Sequence, residues 1–425
     1  MSMSGPWPNT RVETINKSTD QMIIGVVPEG PIAFDGKEYR YSKGERLYLD
    51  NLAKHFAELK LITFVFREGD EAYESCIHSA FEAPNIQVLE LPRAQGVSVS
   101  VVGKAWQFFK VFLLLLKVVP KVDVLYVFLP SYPSAMGWLA AKSFRKIHIV
   151  YGADDWEQAS QSMFKWDDMR TGWFYRAYAG LNRWMERKIV KTALFAVAAG
   201  GQLKTKYAAW GCPTYDTSPR MTLTRENIFN REDTCNGNQK ILINVGALIH
   251  DKAQHILLMA FADAKQKDPT LKLRIIGQGP KEADLKAQAV ALDISDSVEF
   301  VGYVEDESAL YEILKDADIF VLSSVTEGFP RVLYEAMTHR LPIVTTDVGG
   351  IPYLLKDGVN ARVVASEDAE ALSAAILDVI DNDRLRKDMI REASITMEAV
   401  FERMNPAQIS HLVEKHMALP TGSTS

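Results

Sequence analysis

The chain alternates between short, continuously apolar runs and longer segments with the spacing of helices, and it does so twice. Residues 22–27, 61–66, 86–89, 124–128, 147–151 and 193–199 read as strands in the first series. Helix-length segments such as 45–59 and 172–190 lie between them. Strands that are apolar throughout are covered on both faces, and helical crossovers between them demand a parallel sheet. At 215–239 the apolar content falls and Asp, Asn, Thr and Arg take over, as in a linker. A second series then begins, with strands predicted at 240–245, 271–276, 298–300, 319–322, 343–346 and 362–364. Helices are expected at about 252–267, 280–291, 306–316, 330–339 and 367–380.

The expected fold is therefore α/β, with two doubly wound Rossmann-like domains facing each other across a cleft. An extended or disordered N-terminus is assigned to 1–20, an N-terminal domain to 21–220 and a C-terminal domain to 221–400. The segment 401–418 reads as a helix that either crosses back to the first domain or simply ends the chain, followed by a tail at 419–425. Ligands of such sheets bind beyond the carboxyl ends of the strands.

Composition narrows the function. With 47% hydrophobic and 24% charged residues the 425-residue chain can bury a sizeable core. A net charge of −6 gives no reason to expect nucleic acid. Cys76, Cys212 and Cys235 lie far apart, which excludes a cysteine-based zinc site and fits a reducing cytosol. Residues 1–20 lack the apolar core of a signal peptide. The most apolar stretch, 97–119, is broken by Lys104, Lys110 and Lys117 into pieces too short to span a bilayer. Within it, 106–119 reads as a buried helix rather than a lipid anchor. Residues 170–191 carry six basic residues against the single acidic Glu186, together with Trp173, Tyr178 and Trp184. Two readings stand there: a solvated helix with its aromatics on the core, or an amphipathic helix in peripheral contact with the inner face of a membrane.

The residues that bear chemistry lie in the second half. A strand ends at Val245-Gly246, and Lys252 follows at the start of the next helix, where glycine admits a ligand to the backbone and lysine meets a phosphate. Gly277 and Gly279 follow another strand, with Pro280 suited to a first helical turn. Glu282 stands where a dinucleotide fingerprint needs its third glycine, so that fingerprint is absent. Next comes Ser323-Ser-Val-Thr-Glu327-Gly-Phe329-Pro330-Arg331-Val332-Leu333-Tyr-Glu335, in which a strand end, a carboxylate and a proline open a helix. Such a helix start offers N–H groups to an anion. Glu327 is placed to take sugar hydroxyls and Glu335 a ribose. The spacing of eight carries no weight by itself, since Glu74/Glu82, Glu82/Glu90 and Glu299/Glu307 share it.

With the later Leu341-Pro-Ile-Val-x-Thr-Asp-Val-Gly-Gly-Ile-Pro352 and Asp357-Gly358, these motifs make the chain resemble the family-4 retaining glycosyltransferases of the GT-B architecture, also grouped as glycosyl transferases group 1. The resemblance is close over 240–365 and loose over the first half. It implies a UDP- or GDP-linked sugar donor held by the C-terminal domain and a glycan or lipid-linked acceptor held by the N-terminal one. It assigns the diphosphate to Lys252, the donor sugar to Glu327 and the ribose to Glu335. Phosphate falls to the N–H groups of Arg331, Val332 and Leu333, beside Phe329 and Pro330, with Gly246, Gly277 and Gly279 lining the site. Gly44 resembles the glycine of the first N-domain helix that faces the donor phosphates.

Two departures stand out. The family arginine after the first glycine is Ala247 here, and Arg331 is the expected substitute charge. Where a histidine is usual near the sugar, this chain has Tyr151-Gly-Ala-Asp154-Asp155, which reads either as a solvated acidic turn or as a contribution of Asp154 to the site. No cofactor and no metal are expected. Asp316-Ala-Asp318 reads as a helix end ahead of a strand and Asp381-Asn-Asp383 as an exposed helical turn, rather than as manganese ligands. The competing readings are a nucleotide-sugar epimerase or hydrolase on the same fold, and an inactive nucleotide-sugar-binding partner subunit.

Overall fold

A computed structural model describes residues 17–70, 73, 79–93, 101–157, 160, 172–217, 222–327, 330–403 and 406–418. The chain divides into two units, 1–222 with 403–425, and 223–402.

The first unit is built on seven parallel strands: β1 (Ile23–Val27), β2 (Glu58–Thr63), β3 (Ile86–Glu90), β4 (Val124–Leu129), β5 (Ile147–Gly152), β6 (Ala196–Ala199) and β7 (Thr214–Thr217). Their order across the sheet is β3-β2-β1-β4-β5-β6-β7. All six residues of β4 are buried, as the run Val-Leu-Tyr-Val-Phe-Leu demands of a central strand. Alternate residues feed two cores. Ile24, Val26, Tyr126 and Phe128 meet α1 (Lys43–Ala53) through Leu49 and Leu52. Val27, Leu125 and Val127 meet α2 (Val101–Val118), α3 (Tyr132–Ser143) and α4 (Gly172–Lys191) on the opposite face. α5 (Gly201–Ala209) joins that second layer through Leu203 and Tyr207. The C-terminal helix Ala407–Ala418 packs Ile409, Leu412 and Val413 into the first core of this unit.

Several expectations change here. The run 61–66 is split: β2 ends at Thr63, and Val65–Arg67 joins a separate four-stranded sheet with Ile32–Phe34, Tyr39–Tyr41 and Ser79–Ala80. These strands are two or three residues long, too short to establish a period in sequence. The linker expected from 215 begins inside β7, an edge strand whose Thr-Tyr-Asp-Thr residues are all half-buried and so do not form an apolar run. Within the N-terminal segment, Thr19 is buried and its hydroxyl donates to Glu414 Oε1 at 2.7 Å. Residues 1–16 and 419–425 lie outside the described residues. The segment 106–119 is not a buried helix. Val111, Leu115 and Val118 face the sheet, while Trp106, Phe108, Phe109 and Leu113 are exposed. No helix among the described residues is long and apolar enough to cross a membrane.

The second unit repeats the winding with β8 (Lys240–Val245), β9 (Leu271–Ile276), β10 (Val298–Gly302), β11 (Ile319–Leu322), β12 (Ile343–Thr346) and β13 (Arg362–Val364), all parallel, in the order β10-β9-β8-β11-β12-β13. Its helices are α6 (Gln254–Lys267), α7 (Glu282–Ala291), α8 (Glu307–Lys315), α9 (Val332–Thr338), α10 (Ile351–Leu354), α11 (Ala369–Asp381) and α12 (Asp383–Arg403). Phe261 of α6, Leu273 and Ile275 of β9 and Ile376 of α11 fill one core. α12, not among the expected helices, is largely polar but buries Met389, Ala393, Met397 and Val400 along one stripe. Between β8 and β11 the strand order reverses, so the loops leaving their carboxyl ends diverge and open a crevice.

Phe261 is fully buried at the centre of this core. Phe261→Ala is expected to destabilise the protein by about 3–5 kcal/mol, measured by urea unfolding.

Candidate functional site

The crevice at the ends of β8, β11 and β12 is assembled by small hydroxyl side chains. After β8 the chain forms a single 3-10 turn, His250–Lys252, and Ala253 takes a left-handed conformation (φ 46°) before α6 begins. Ser323, just past β11, fixes that turn by donating from Oγ to the carbonyls of Lys252 (3.0 Å) and Ala253 (3.1 Å). The Val325 N–H donates to Asp251 O at 2.9 Å. Thr346, the last residue of β12, donates to Ser324 O at 2.7 Å. Ser323 and Ser324 are both fully buried.

This scaffold brings Lys252 and Glu327 together. Lys252 Nζ lies 2.6 Å from Glu327 Oε1, and Ser324 Oγ donates to the same oxygen at 2.6 Å. The Glu327 side chain is only 6% exposed and that of Lys252 24%, so both are drawn out of water. Removing either partner would leave a charge stranded in a desolvated site.

Glycines set the shape. A Cβ on Gly349 would fall 1.7 Å from Glu327 O, and Gly349 has φ +57°, so only glycine lets the chain after β12 pass behind the carboxylate loop. Gly277 (φ +141°) likewise lies against Gly246, its hypothetical Cβ 2.0 Å from Gly246 O. The corresponding position on Gly279 is 2.4 Å from Leu248 O. Backbone bonds Gly246 N–H to Ile276 O (2.9 Å) and Leu248 N–H to Gln278 O (3.0 Å) lace the two loops together. Gly277 and Gly279 thus serve close backbone packing, whereas a Cβ on Gly246 would meet only ordinary contacts, the nearest being Lys252 Cγ at 3.8 Å.

The helix after Pro330 starts later than expected. α9 begins at Val332 with Arg331 at its N-cap, and Pro330 is buried just outside. The N–H groups of Arg331 and Val332 have no partner among the described residues, whereas that of Leu333 donates to Pro330 O at 3.2 Å. Arg331 is exposed at the mouth of this turn. Glu335 is the fourth residue of α9, and its carboxylate has no hydrogen-bond partner among the described residues. Burial pushes its pKa up to about 7, Arg331 opposing the shift and Glu307 adding to it. Phe329 lies outside the described residues.

The remaining expected residues belong to the first unit. Gly44 is the second residue of α1 and is buried. Asp154 follows β5, is exposed, and accepts the Asp155 N–H at 2.7 Å. Asp155 pairs with Lys206 at 2.8 Å, and Lys206 with the fully buried Glu186 at 2.8 Å. The carboxylates of the first Asp-x-Asp are engaged: Asp318 accepts from the Cys235 and Ile241 N–H groups (2.6 and 2.8 Å), and Asp316 pairs with Arg274 at 2.7 Å. Sequence reading passed over Ser323, Ser324, Thr346 and Gly349 as site residues. Three of them lie at strand ends, the place where an α/β sheet builds its sites, and that was their one available signal.

Residues 226–395 match the model of the family described as glycosyl transferases group 1. Among curated proteins, the chain is 30% identical over 223 residues to the putative colanic acid biosynthesis glycosyltransferase WcaL of Salmonella typhimurium, covering 50% of this chain and 54% of that one. It is equally 30% identical over 223 residues to the amylovoran biosynthesis glycosyltransferase AmsK of Erwinia amylovora, covering 49% and 53%. The chain spans about half the length of these relatives. Among solved structures, Anabaena HepE in complex with UDP superposes with a TM-score of 0.63 at 17% identity, covering 93% of this chain and 100% of that one. The lipopolysaccharide outer core galactosyltransferase WaaB superposes with a TM-score of 0.64 at 15% identity, covering 93% and 99%. The fold is GT-B.

Two consequences are measurable. Gly349→Ala must displace the Glu327 loop, and a lower thermal midpoint than wild type is expected, by more than about 1 kcal/mol of stability. Glu335 holds its proton in the folded state at a pH where the unfolded chain has released it. Between pH 4.5 and about 7 the native state therefore binds more protons, and stability falls as pH rises. In Glu335→Gln this downward slope should disappear from the plot of unfolding free energy against pH.

Proposed function

We propose that this protein, whose residues 226–395 match the glycosyl transferases group 1 model, is a retaining, metal-independent glycosyltransferase. It moves a hexosyl or N-acetylhexosaminyl group from a UDP- or GDP-sugar to a glycan or lipid-linked acceptor in surface polysaccharide or glycolipid synthesis. The Lys252–Glu327 pair at the strand-order reversal carries this reading. An ion pair drawn out of water gains little over a well-packed apolar pair, so its place at the crevice favours a ligand that uses both charges. In this reading Lys252 turns to the leaving diphosphate while Glu327 accepts hydrogen bonds from donor-sugar hydroxyls. The amides of Arg331 and Val332, with the Arg331 guanidinium in place of the charge missing at Ala247, take the phosphate, and Glu335 takes the ribose. Charge developing on the departing diphosphate is met by fixed donors, the largest lever available for such a reaction. The acceptor hydroxyl attacks the face from which the diphosphate leaves, and a phosphate oxygen receives its proton, so no protein nucleophile is required.

The relatives support a glycan product, since those named above act in colanic acid and amylovoran biosynthesis. Structures that share the fold were solved with UDP and with UDP-glucose. Gly44 and Asp154 belong to the acceptor-binding unit of this reading. A lipid-linked acceptor would place the reaction at the cytoplasmic face of a membrane, with 170–191 in contact with it.

Thermal unfolding with a panel of UDP-, GDP- and ADP-sugars, with and without EDTA, tests the donor site. At a ligand concentration about 100 times its Kd, stabilisation of about 2.7 kcal/mol is expected from one nucleotide class, unchanged by EDTA. Glu327→Ala should lose transfer by about 100-fold or more while keeping the melting shift with the free nucleotide. Full transfer activity in Glu327→Ala, or a shift that EDTA abolishes, would count against this reading.

A further inference from the structure

α2, α3 and α4 lie side by side over one face of the first unit's sheet, each burying one stripe in the same core. The Phe108 ring packs on Tyr132 (centroids 6.2 Å apart), and Tyr132 hydrogen-bonds Tyr178, which aligns the first halves of the three helices. Farther along, Trp138 Nε1 donates to Thr192 just beyond α4 at 2.8 Å. Each helix also repeats one device, a tryptophan with a lysine one turn later, the tryptophan exposed on α2 and α4 and half-buried on α3. Lys110 lies 5.7 Å from the Trp106 ring, Lys142 5.6 Å from Trp138, and Lys188 6.0 Å from Trp184.

The apolar share of this layer is unusual for a face turned to solvent. Trp106 is 56% exposed, Trp184 55% and Phe109 49%, with Trp106 and Phe109 stacked at 5.4 Å. Leu113, Leu139 and Leu181 are exposed beside them. Charge is distributed just as unevenly. The whole chain is net −6, yet the three helices contain a single carboxylate, Glu186, which is fully buried and paired to Lys206. Lys110, Lys117, Lys142, Arg187, Lys188 and Lys191 are all exposed. Exposed indole and phenyl rings edged by lysines, on helices whose one carboxylate is buried, match the chemistry of a bilayer interface. There the rings settle at headgroup depth while the lysine stems reach the phosphates.

We propose that this three-helix layer docks on an anionic lipid bilayer, with Trp106 and Phe109 of α2 as the inserted anchor and the lysines of all three helices reading headgroup charge. The inference goes beyond the transferase reading and stands without it. A contact confined to 170–191 would leave the exposed rings of α2, Trp106 and Phe109, in water.

Co-sedimentation of the full chain with phosphatidylcholine vesicles, with and without phosphatidylglycerol, tests it. Binding is expected only with phosphatidylglycerol and should weaken as salt rises. Trp106→Ser with Phe109→Ser should lower the partition coefficient about tenfold or more, with the melting temperature unchanged because both side chains face solvent. Lys142→Glu with Lys188→Glu should reduce the phosphatidylglycerol-dependent binding to a similar degree. Failure to sediment with anionic vesicles, or undiminished binding by the Trp106/Phe109 variant, would overturn the proposal. So would vesicle-free self-association in sedimentation velocity that this variant abolishes, since the occupant would then be a second copy of the chain.

Discussion

Three buried hydroxyls hold the second unit's crevice in shape, and what it can do depends on them. Ser323 ties the end of β11 to the turn that carries Lys252, Ser324 holds Glu327, and Thr346 ties the end of β12 to Ser324. Each bond is worth about 1 kcal/mol net, but together they place two charged groups on separate loops within 2.6 Å of each other. The parallel sheet supplies three strand ends within reach of one another. Short hydroxyl side chains turn that proximity into a fixed geometry, and long flexible ones would not.

Close backbone approach does the rest. Gly349 passes behind Glu327 and Gly277 beside Gly246 at distances that no Cβ allows. The loops that carry the charges are thereby packed against other loops, leaving little freedom for them to collapse when a ligand enters or leaves. Glu335, on α9, lies where burial favours its protonated form. A carboxylate held there without a hydrogen-bond partner among the described residues is unfavourable, and a hydroxyl-bearing ligand would relieve that cost.

Much of this was legible in the sequence because burial on both faces writes itself as uninterrupted apolar runs. β8, β9, β11, β12 and β13 begin and end where the pattern placed them. Edge and miniature strands left no such record: β7 is half-buried and polar, and the small four-stranded sheet is made of pieces two or three residues long. At the site, Lys252 and Glu327 were recognisable from their loop settings, whereas their contact is a product of the fold. Ser323, Ser324 and Gly349 were visible in the motifs but silent about their roles, because a serine or a glycine after a strand is commonplace and only a tertiary neighbour gives it meaning. The exposed face of α2 was misread for a related reason. An apolar stretch reports how much apolar surface exists, and the sheet decides how much of it is covered.

The most direct test of the Lys252–Glu327 pair as a divided donor site is calorimetric titration of wild type, Lys252→Ala and Glu327→Ala with the stabilising nucleoside diphosphate and with its sugar conjugate. Lys252→Ala should weaken both ligands by about tenfold or more, since both carry the diphosphate. Glu327→Ala should bind the nucleoside diphosphate at least as tightly as wild type, because Lys252 is released from its ion pair, and lose the extra affinity conferred by the sugar. Equal weakening of both ligands in Glu327→Ala would contradict the assignment of that carboxylate to the sugar.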